Sequence, residues 1–116
     1  MSICLGELEM MNNHYAKAAA TIEPIFLCEK FDFCVGNIIK YILRANYKGD
    51  KKADLEKARN YFYRARDKGL PYKKIKKHKK LAECYKNPLL NKFFSIDDFC
   101  QETIFTNALR KAINEA

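Results

Sequence analysis

The stretch from Phe33 to about Tyr47 constrains the fold more than any other part of this chain. Asp32 precedes it as a candidate N-cap, and Lys48-Gly49-Asp50 interrupts the pattern after it. Its apolar residues recur at helical spacing and cover one broad arc: Cys34, Val35, Ile38, Ile39, Ile42, Leu43 and Ala45. The pattern predicts an amphipathic helix that must bury one side against other elements.

Composition favours helices in the rest of the chain as well. Ala, Leu and Ile occur 12, 10 and 10 times, whereas Val occurs once and Thr three times. Four glycines and three prolines are about half the usual share. With 48% hydrophobic and 31% charged residues, the chain should fold. We expect an all-α, single compact domain of about five helices over residues 1–116, without repeats or linkers.

Caps and apolar spacing place the other helices. Four are predicted: Ile22 to Lys30 after a Thr21 cap, Lys52 to Lys68, Tyr72 to Tyr85, and one from the Ser95/Asp98 capping pattern nearly to the end. Asn87-Pro88 is a stop signal, so Leu89 to Phe94 is predicted to be an apolar connector that packs against the core.

Several classes of protein are excluded or disfavoured. Lys40 and Arg44 interrupt the longest apolar candidate, Phe31 to Ala45, so no membrane span is expected. The N-terminus lacks the pattern of an export signal, which predicts a cytoplasmic protein. The five cysteines are an odd number and no two are separated by only two residues, so we expect buried free thiols and no metal site.

Positive charge is concentrated in the middle of the chain. The net charge is +8, and residues 59–92 hold twelve basic and two acidic side chains. The densest part is the lysine cluster at 73–80, which would either meet a polyanion such as nucleic acid or form the solvated side of a helix. His78 shares a helical stripe with Ile75 and Ala82, so it is predicted to lie at the edge of the core.

A line of polar side chains runs along the most apolar helix. On a helical wheel Lys40, Tyr41, Arg44 and Lys48 all lie within about 60° of Asn37. Guanidinium and ammonium groups suit phosphate oxygens, and amide and phenol groups suit a base or sugar. This polar column would fit a nucleotide, or it would simply be hydrated.

The following helix repeats the pattern. Asp54, Lys57, Tyr61 and Arg64 share one line. Asp54 would either neutralise a neighbouring arginine or hold a metal-bound water. Two such lines on adjacent helices would form a cleft.

Four segments between His14 and Asp67 have a familiar spacing. They are His14-Tyr15, Gly-Asn-x-x-Lys-Tyr-x-x-Arg-Ala from Gly36, Lys48-Gly49, and Asp-Leu-x-Lys-Ala-x-x-Tyr from Asp54. This core, residues 14–67, resembles a family of small phage proteins long classed as a domain of unknown function and often labelled nucleotide kinase-like. The family includes SaV-type proteins and an early nucleotide kinase of a coliphage. Residues 68–116, with the basic helix and the C-terminal helix, lie outside the resemblance.

The resemblance implies nucleotide binding and phosphoryl transfer in the host cell cytoplasm. The implied ligand-binding residues are Tyr15, Asn37, Lys40, Tyr41, Arg44, Lys48 and Lys57, and the wheel adds Tyr61. If catalysis occurs, Arg44, Lys40 and Lys48 would neutralise phosphate charge. Asp54 would orient Mg²⁺ or a base and His14 would carry a proton, with ATP and Mg²⁺ as cofactors. Such proteins often have a Gly-Gly-Ile-Glu-like turn after His-Tyr, whereas Lys17 is followed here by three alanines.

Three functions stay open at this point. A nucleoside monophosphate kinase-like enzyme is implied by the resemblance, although the Gly-x-x-x-x-Gly-Lys-Ser/Thr phosphate loop is absent from the sequence. A binder without chemistry would sequester a nucleotide signal and so counter host antiviral defence. A nucleic-acid-binding protein would use the lysine cluster at 73–80. The small size of the chain also favours a homo-oligomer.

Overall fold

A computed structural model describes residues 24–47 and 50–116 of the chain. In this part seven helices and no strands are present. They are α1 (Pro24–Cys28), α2 (Phe33–Arg44), α3 (Lys51–Lys68), α4 (Tyr72–Lys77), α5 (Lys79–Glu83), α6 (Pro88–Phe93) and α7 (Phe99–Glu115). The prediction of an all-α, single compact domain is confirmed, with more and shorter helices than expected.

Aspartate side chains begin the three long helices. Asp32, Asp50 and Asp98 each accept a hydrogen bond from the backbone N–H three residues later, at 2.9, 3.1 and 2.9 Å. The predicted Asp32 cap is therefore confirmed. The final helix begins after Asp98 and not after Ser95, because the Ser95 hydroxyl donates to the Asn91 carbonyl at 2.9 Å.

Two predicted helices are shorter than expected. Helix α2 ends at Arg44 because the amides of Asn46 and Tyr47 bond to carbonyls three residues back, at 3.4 and 2.9 Å, which tightens the last turn. Helix α1 runs only from Pro24 to Cys28. The predicted Thr21 cap lies outside the described residues.

The predicted helix from Tyr72 to Tyr85 is interrupted at His78. The backbone there has φ −101° and ψ 12°, and the His78 N–H is shared between two carbonyls of the preceding turn. The half-buried His78 ring contacts the edge of Phe31 at 5.4 Å between centroids, which confirms the predicted position at the edge of the core. An unbroken helix over these residues would place lysines at three- and four-residue spacing along its whole length, where like charges repel.

The predicted connector is a helix. The Asn87 side chain accepts a hydrogen bond from the Leu90 N–H at 3.0 Å, and Pro88 occupies the first turn, where its missing N–H costs nothing. Leu90 and Phe93 are fully buried. The prediction that this segment packs against the core is confirmed, while its assignment as a connector is wrong.

The centre of the core is a cluster of three phenylalanines. Phe62 of α3, Phe93 of α6 and Phe105 of α7 are fully buried, with ring centroids 4.9 to 6.2 Å apart. The aliphatic arc of α2 also belongs to the core and packs against α3. Ile38, Ile39 and Ile42 of this arc are at most 1% exposed. The core therefore fixes α2 and α3 side by side and leaves their outer sides to solvent.

Specific contacts attach the short helices α1 and α4 to the long helices. Gly36 allows α1 to approach α2, because a Cβ at this position would lie 3.1 Å from the Cys28 carbonyl oxygen. Tyr72 of α4 donates its hydroxyl hydrogen bond to the buried carboxylate of Glu102 in α7. This bond, together with burial, raises the pKa of Tyr72 to about 12.

None of the described helices has both the length and the apolar character that a membrane span requires.

Candidate functional site

The predicted polar column lies on the outer side of α2, but its members divide between two grooves. Asn37, Lys40 and Arg44 line a groove of about 520 Å³ between α1 and α2. Tyr41 lines a second groove, of about 500 Å³, together with residues of α3. The column therefore forms the ridge between two grooves and not one continuous binding surface.

The groove between α1 and α2 is mainly apolar. Phe33 and Tyr47 are 71% and 78% exposed at its edge. Burial raises the pKa of the Cys28 thiol to about 11, so this thiol stays protonated at neutral pH and is a poor nucleophile. The Asn37 side-chain amide donates to the Phe33 carbonyl at 2.8 Å, which occupies one of its donors within the helix.

The second groove, called here the tyrosine groove, is lined by Tyr41, Lys57, Asn60, Tyr61 and Arg64. The rings of Tyr41 and Tyr61 are nearly parallel, with an interplanar angle of 8° and centroids 6.1 Å apart. The Lys57 ammonium lies 5.3 Å from the centre of the Tyr41 ring. Within the part of the chain that the structure describes, Lys57, Asn60 and Arg64 form no side-chain hydrogen bond or ion pair.

The two grooves share a border formed by side chains of α2. The Lys40 ammonium lies 5.3 Å from the Tyr41 ring, on the ridge between the grooves. The Phe33 ring meets Tyr61 edge to face at 5.8 Å. The tyrosine groove thus has aromatic surface at its centre and cations around it, and no carboxylate within residues 24–47 and 50–116 lines it. This chemistry attracts an anion that carries a planar ring.

Arg44 and Asp54 form an ion pair beside these grooves. Arg44 Nε lies 3.7 Å from Asp54 Oδ2, and the side chains are 51% and 6% exposed. Of the two roles open to Asp54, the structure therefore shows neutralisation of an arginine. The pair joins the end of α2 to the first turn of α3, and Asp54 lines neither groove.

Other predicted site residues are not placed. His14, Tyr15 and Lys48 lie outside the described residues. Among residues 24–47 and 50–116, no three His, Cys, Asp or Glu side chains are grouped as metal ligands would be. Mg²⁺ with ATP stays a prediction. The catalytic roles of His14, Arg44 and Asp54 and the homo-oligomer stay predictions.

Comparison with protein families gives a match over part of the chain. Residues 11–63 match a family model described as a protein of unknown function (DUF3310). No curated protein and no solved structure gives a significant match. This finding corrects the resemblance stated above: the matched family carries no assigned activity, and nothing indicates a nucleotide kinase-like family. The match includes α1, α2 and most of α3, and it ends before the lysine-rich helices.

One residue of the tyrosine groove was missed by sequence reasoning. Asn60 lines the groove, although it is not on the line of Asp54, Lys57, Tyr61 and Arg64. The available signal was its place three residues after Lys57, on the same side of a helix. Tyr41, Lys57 and Tyr61, which were predicted as ligand-binding residues, are brought together.

Replacing Arg44 with alanine is expected to lower the free energy of unfolding by about 1–2 kcal/mol. The change leaves the buried Asp54 carboxylate without its cation, and half-exposure of Arg44 keeps the loss below that of a fully buried pair. Urea denaturation measures the loss. Arg64→Ala, which removes an exposed cation without an acidic partner, is the control and should change stability by less than about 0.5 kcal/mol. Equal losses would contradict the structural role of the pair.

Proposed function

We propose that this protein binds a nucleotide in the tyrosine groove and retains it without chemical change. The observation that carries the proposal is the near-parallel pair of Tyr41 and Tyr61 rings beside two cations, Lys57 and Arg64, that have no acidic partner among the described residues. Packing of α2 against α3 holds the two half-buried tyrosine rings side by side before any ligand arrives, which reduces the entropy cost of binding.

Each lining residue has a role in this proposal. A base stacks on the exposed ring surface of the tyrosine pair, as bases do on aromatic side chains. Lys57 and Arg64 contact phosphate oxygens, the arginine through two parallel N–H groups. Asn60 offers both a donor and an acceptor to the edge of a base or sugar. The net charge of +8 draws anions towards the protein.

Retention is favoured over catalysis by the shortage of acids and bases at the groove. Among the residues that the structure describes, no carboxylate or histidine lines it. Asp54, the acid that the sequence predicts for catalysis, is paired with Arg44. General acid–base chemistry requires a titratable group within hydrogen-bond reach of the reacting atoms. A protein that holds a nucleotide unchanged would act by sequestration, lowering the free concentration of that ligand.

The proposal is tested by calorimetry of the full chain with a panel of nucleotides. The panel contains nucleoside mono- and triphosphates, cyclic nucleotides and ADP-ribose. We expect one or more to bind, and Lys57→Gln to weaken binding about tenfold, because one charge-assisted phosphate contact is lost. Lys52→Gln removes an exposed charge from the same helix outside the groove and should change the affinity less than about twofold.

Stacking and turnover are measured separately. Tyr61→Leu should weaken binding by about 1–3 kcal/mol, whereas Tyr63→Leu on the same helix, which lies against Arg66 outside the groove, should not. Mass spectrometry of the released ligand should give an unchanged mass. Equal effects in Lys57→Gln and Lys52→Gln, a changed ligand, or no binding across the panel would overturn the proposal.

A further inference from the structure

Six lysines on α4 and α5 form a surface that the proposed function does not use. This lysine face consists of Lys73, Lys74, Lys76, Lys77, Lys79 and Lys80. Five are exposed and one is half-buried. Within the described part of the chain, none of the six forms an ion pair or a side-chain hydrogen bond. Lys74 is the one member of this face that contacts an aromatic ring among the described residues, with its ammonium group 5.9 Å from the centre of the Phe31 ring. A single acidic residue, Glu83, occurs in the two helices.

The opposite side of these helices fixes the lysine face towards solvent. Ile75 and Ala82 are fully buried, and Leu81 is nearly so. Tyr72 is bonded to the buried carboxylate of Glu102, and His78 packs against Phe31. The buried side of the two helices therefore keeps these like charges on one surface. Holding them together costs repulsion that a bound polyanion would remove.

The composition of the face decides between polyanionic partners. A membrane would require apolar side chains that enter the headgroup region, and none of the large exposed apolar residues lies on α4 or α5. Protein interfaces are depleted in lysine and depend on buried aromatic or arginine anchors. The face has no arginine, and its two rings, Tyr72 and His78, are half-buried and engaged with Glu102 and Phe31. Nucleic acid fits best.

The form of the nucleic acid follows from the same side chains. Single strands are held by bases stacked on exposed rings, which the lysine face lacks. Duplex RNA is recognised through its shape, its phosphates and its 2′-hydroxyls, and ammonium groups can donate to these hydroxyls but cannot accept the hydrogen bonds that the hydroxyls donate. Lysines act as point charges, so they contact phosphates and do not read bases. We propose that the lysine face binds the phosphate backbone of duplex DNA without sequence preference.

The test measures the affinity of the full chain for a 20-base-pair DNA duplex by fluorescence anisotropy at several salt concentrations. Binding should weaken with salt with a slope of about −3 or steeper in a plot of log K against log salt. Replacing Lys73, Lys76 and Lys77 with glutamine should make the slope shallower by about 2–3. The control replaces Lys51, Lys52 and Lys111, which are also exposed, and removes the same charge from other helices.

The outcomes separate a localised surface from general attraction by a basic protein. A change of slope confined to the first triple variant supports the proposal, as does equal affinity for duplexes of unrelated sequence. Equal changes in the two triple variants, tighter binding to a single strand or to duplex RNA, or no binding at 50 mM salt would overturn it. Circular dichroism of each variant confirms folding, and all six substituted lysines are exposed.

Discussion

Replacing Phe62 with alanine is expected to lower the free energy of unfolding by about 3–5 kcal/mol. Phe62 is fully buried between Phe93 and Phe105, so its removal loses ring contacts and leaves a cavity where three helices meet. For a domain whose total stability is about 5–15 kcal/mol, this loss is a large share. Urea denaturation followed by circular dichroism measures it.

The matched control for this substitution is Phe99→Ala. Phe99 begins α7 and is 73% exposed, so its loss should change stability by about 0.5 kcal/mol or less. Phe62→Leu fills part of the cavity and should give an intermediate value. A loss below about 1 kcal/mol in Phe62→Ala would show that the three phenylalanines are not the centre of the core.

Replacing Tyr72 with phenylalanine is expected to lower the free energy of unfolding by about 1.5–3 kcal/mol, the usual range for a hydrogen bond to a charged group. The Glu102 carboxylate is only 6% exposed, and the hydroxyl of Tyr72 is its donor. Without this donor the buried charge is poorly compensated. Denaturation of wild type and variant at pH 7 measures the effect.

The pH dependence of this loss is fixed by the raised pKa of Tyr72. The hydrogen bond and burial raise that pKa from 10.0 to about 12 in the folded protein. A raised folded pKa gives stabilisation that is complete below the unfolded value and is lost as pH rises through the folded value. The loss in Tyr72→Phe should therefore be equal at pH 7 and pH 9. Tyr47→Phe, at a site 78% exposed, should change nothing at either pH.

A second substitution tests the origin of the loss. Glu102→Gln in the Tyr72→Phe background removes the buried charge and should recover part of the stability, because an uncharged amide is less costly to bury. No recovery would mean that the Tyr72 ring position, and not the missing bond, determines the effect. The result also bears on the lysine face, since Tyr72 attaches α4 to α7.

Local sequence signals were sufficient to predict the long helices. Asp32 and Asp50 accept bonds from amides three residues later, and such bonds need no partner distant in sequence. The left-handed conformation at Gly69, with φ 95°, likewise ends α3 where the sequence predicts. The apolar arc of α2 is buried as its spacing predicts.

Tertiary contacts decided the features that these local signals missed. The break at His78 accompanies packing of its ring against Phe31, which is 47 residues earlier in the chain. Burial of Leu90 and Phe93 supports a six-residue helix, which would be too short to persist alone. Because helix propensity is weak at such lengths, contacts with residues distant in sequence determine whether the segment is helical.

In the candidate site, too, local sequence determines some features and tertiary packing determines others. The sequence by itself determined that Asn37, Tyr41 and Arg44 lie on the solvent side of one helix, because the helical repeat fixes the direction of each side chain. Only the tertiary structure decided what each one faces: α3 brings Tyr61 beside Tyr41 and Asp54 beside Arg44, while Asn37 lines the groove under α1. The physical reason is that periodicity specifies a side of a helix, whereas the packing of the whole core determines which neighbours meet that side.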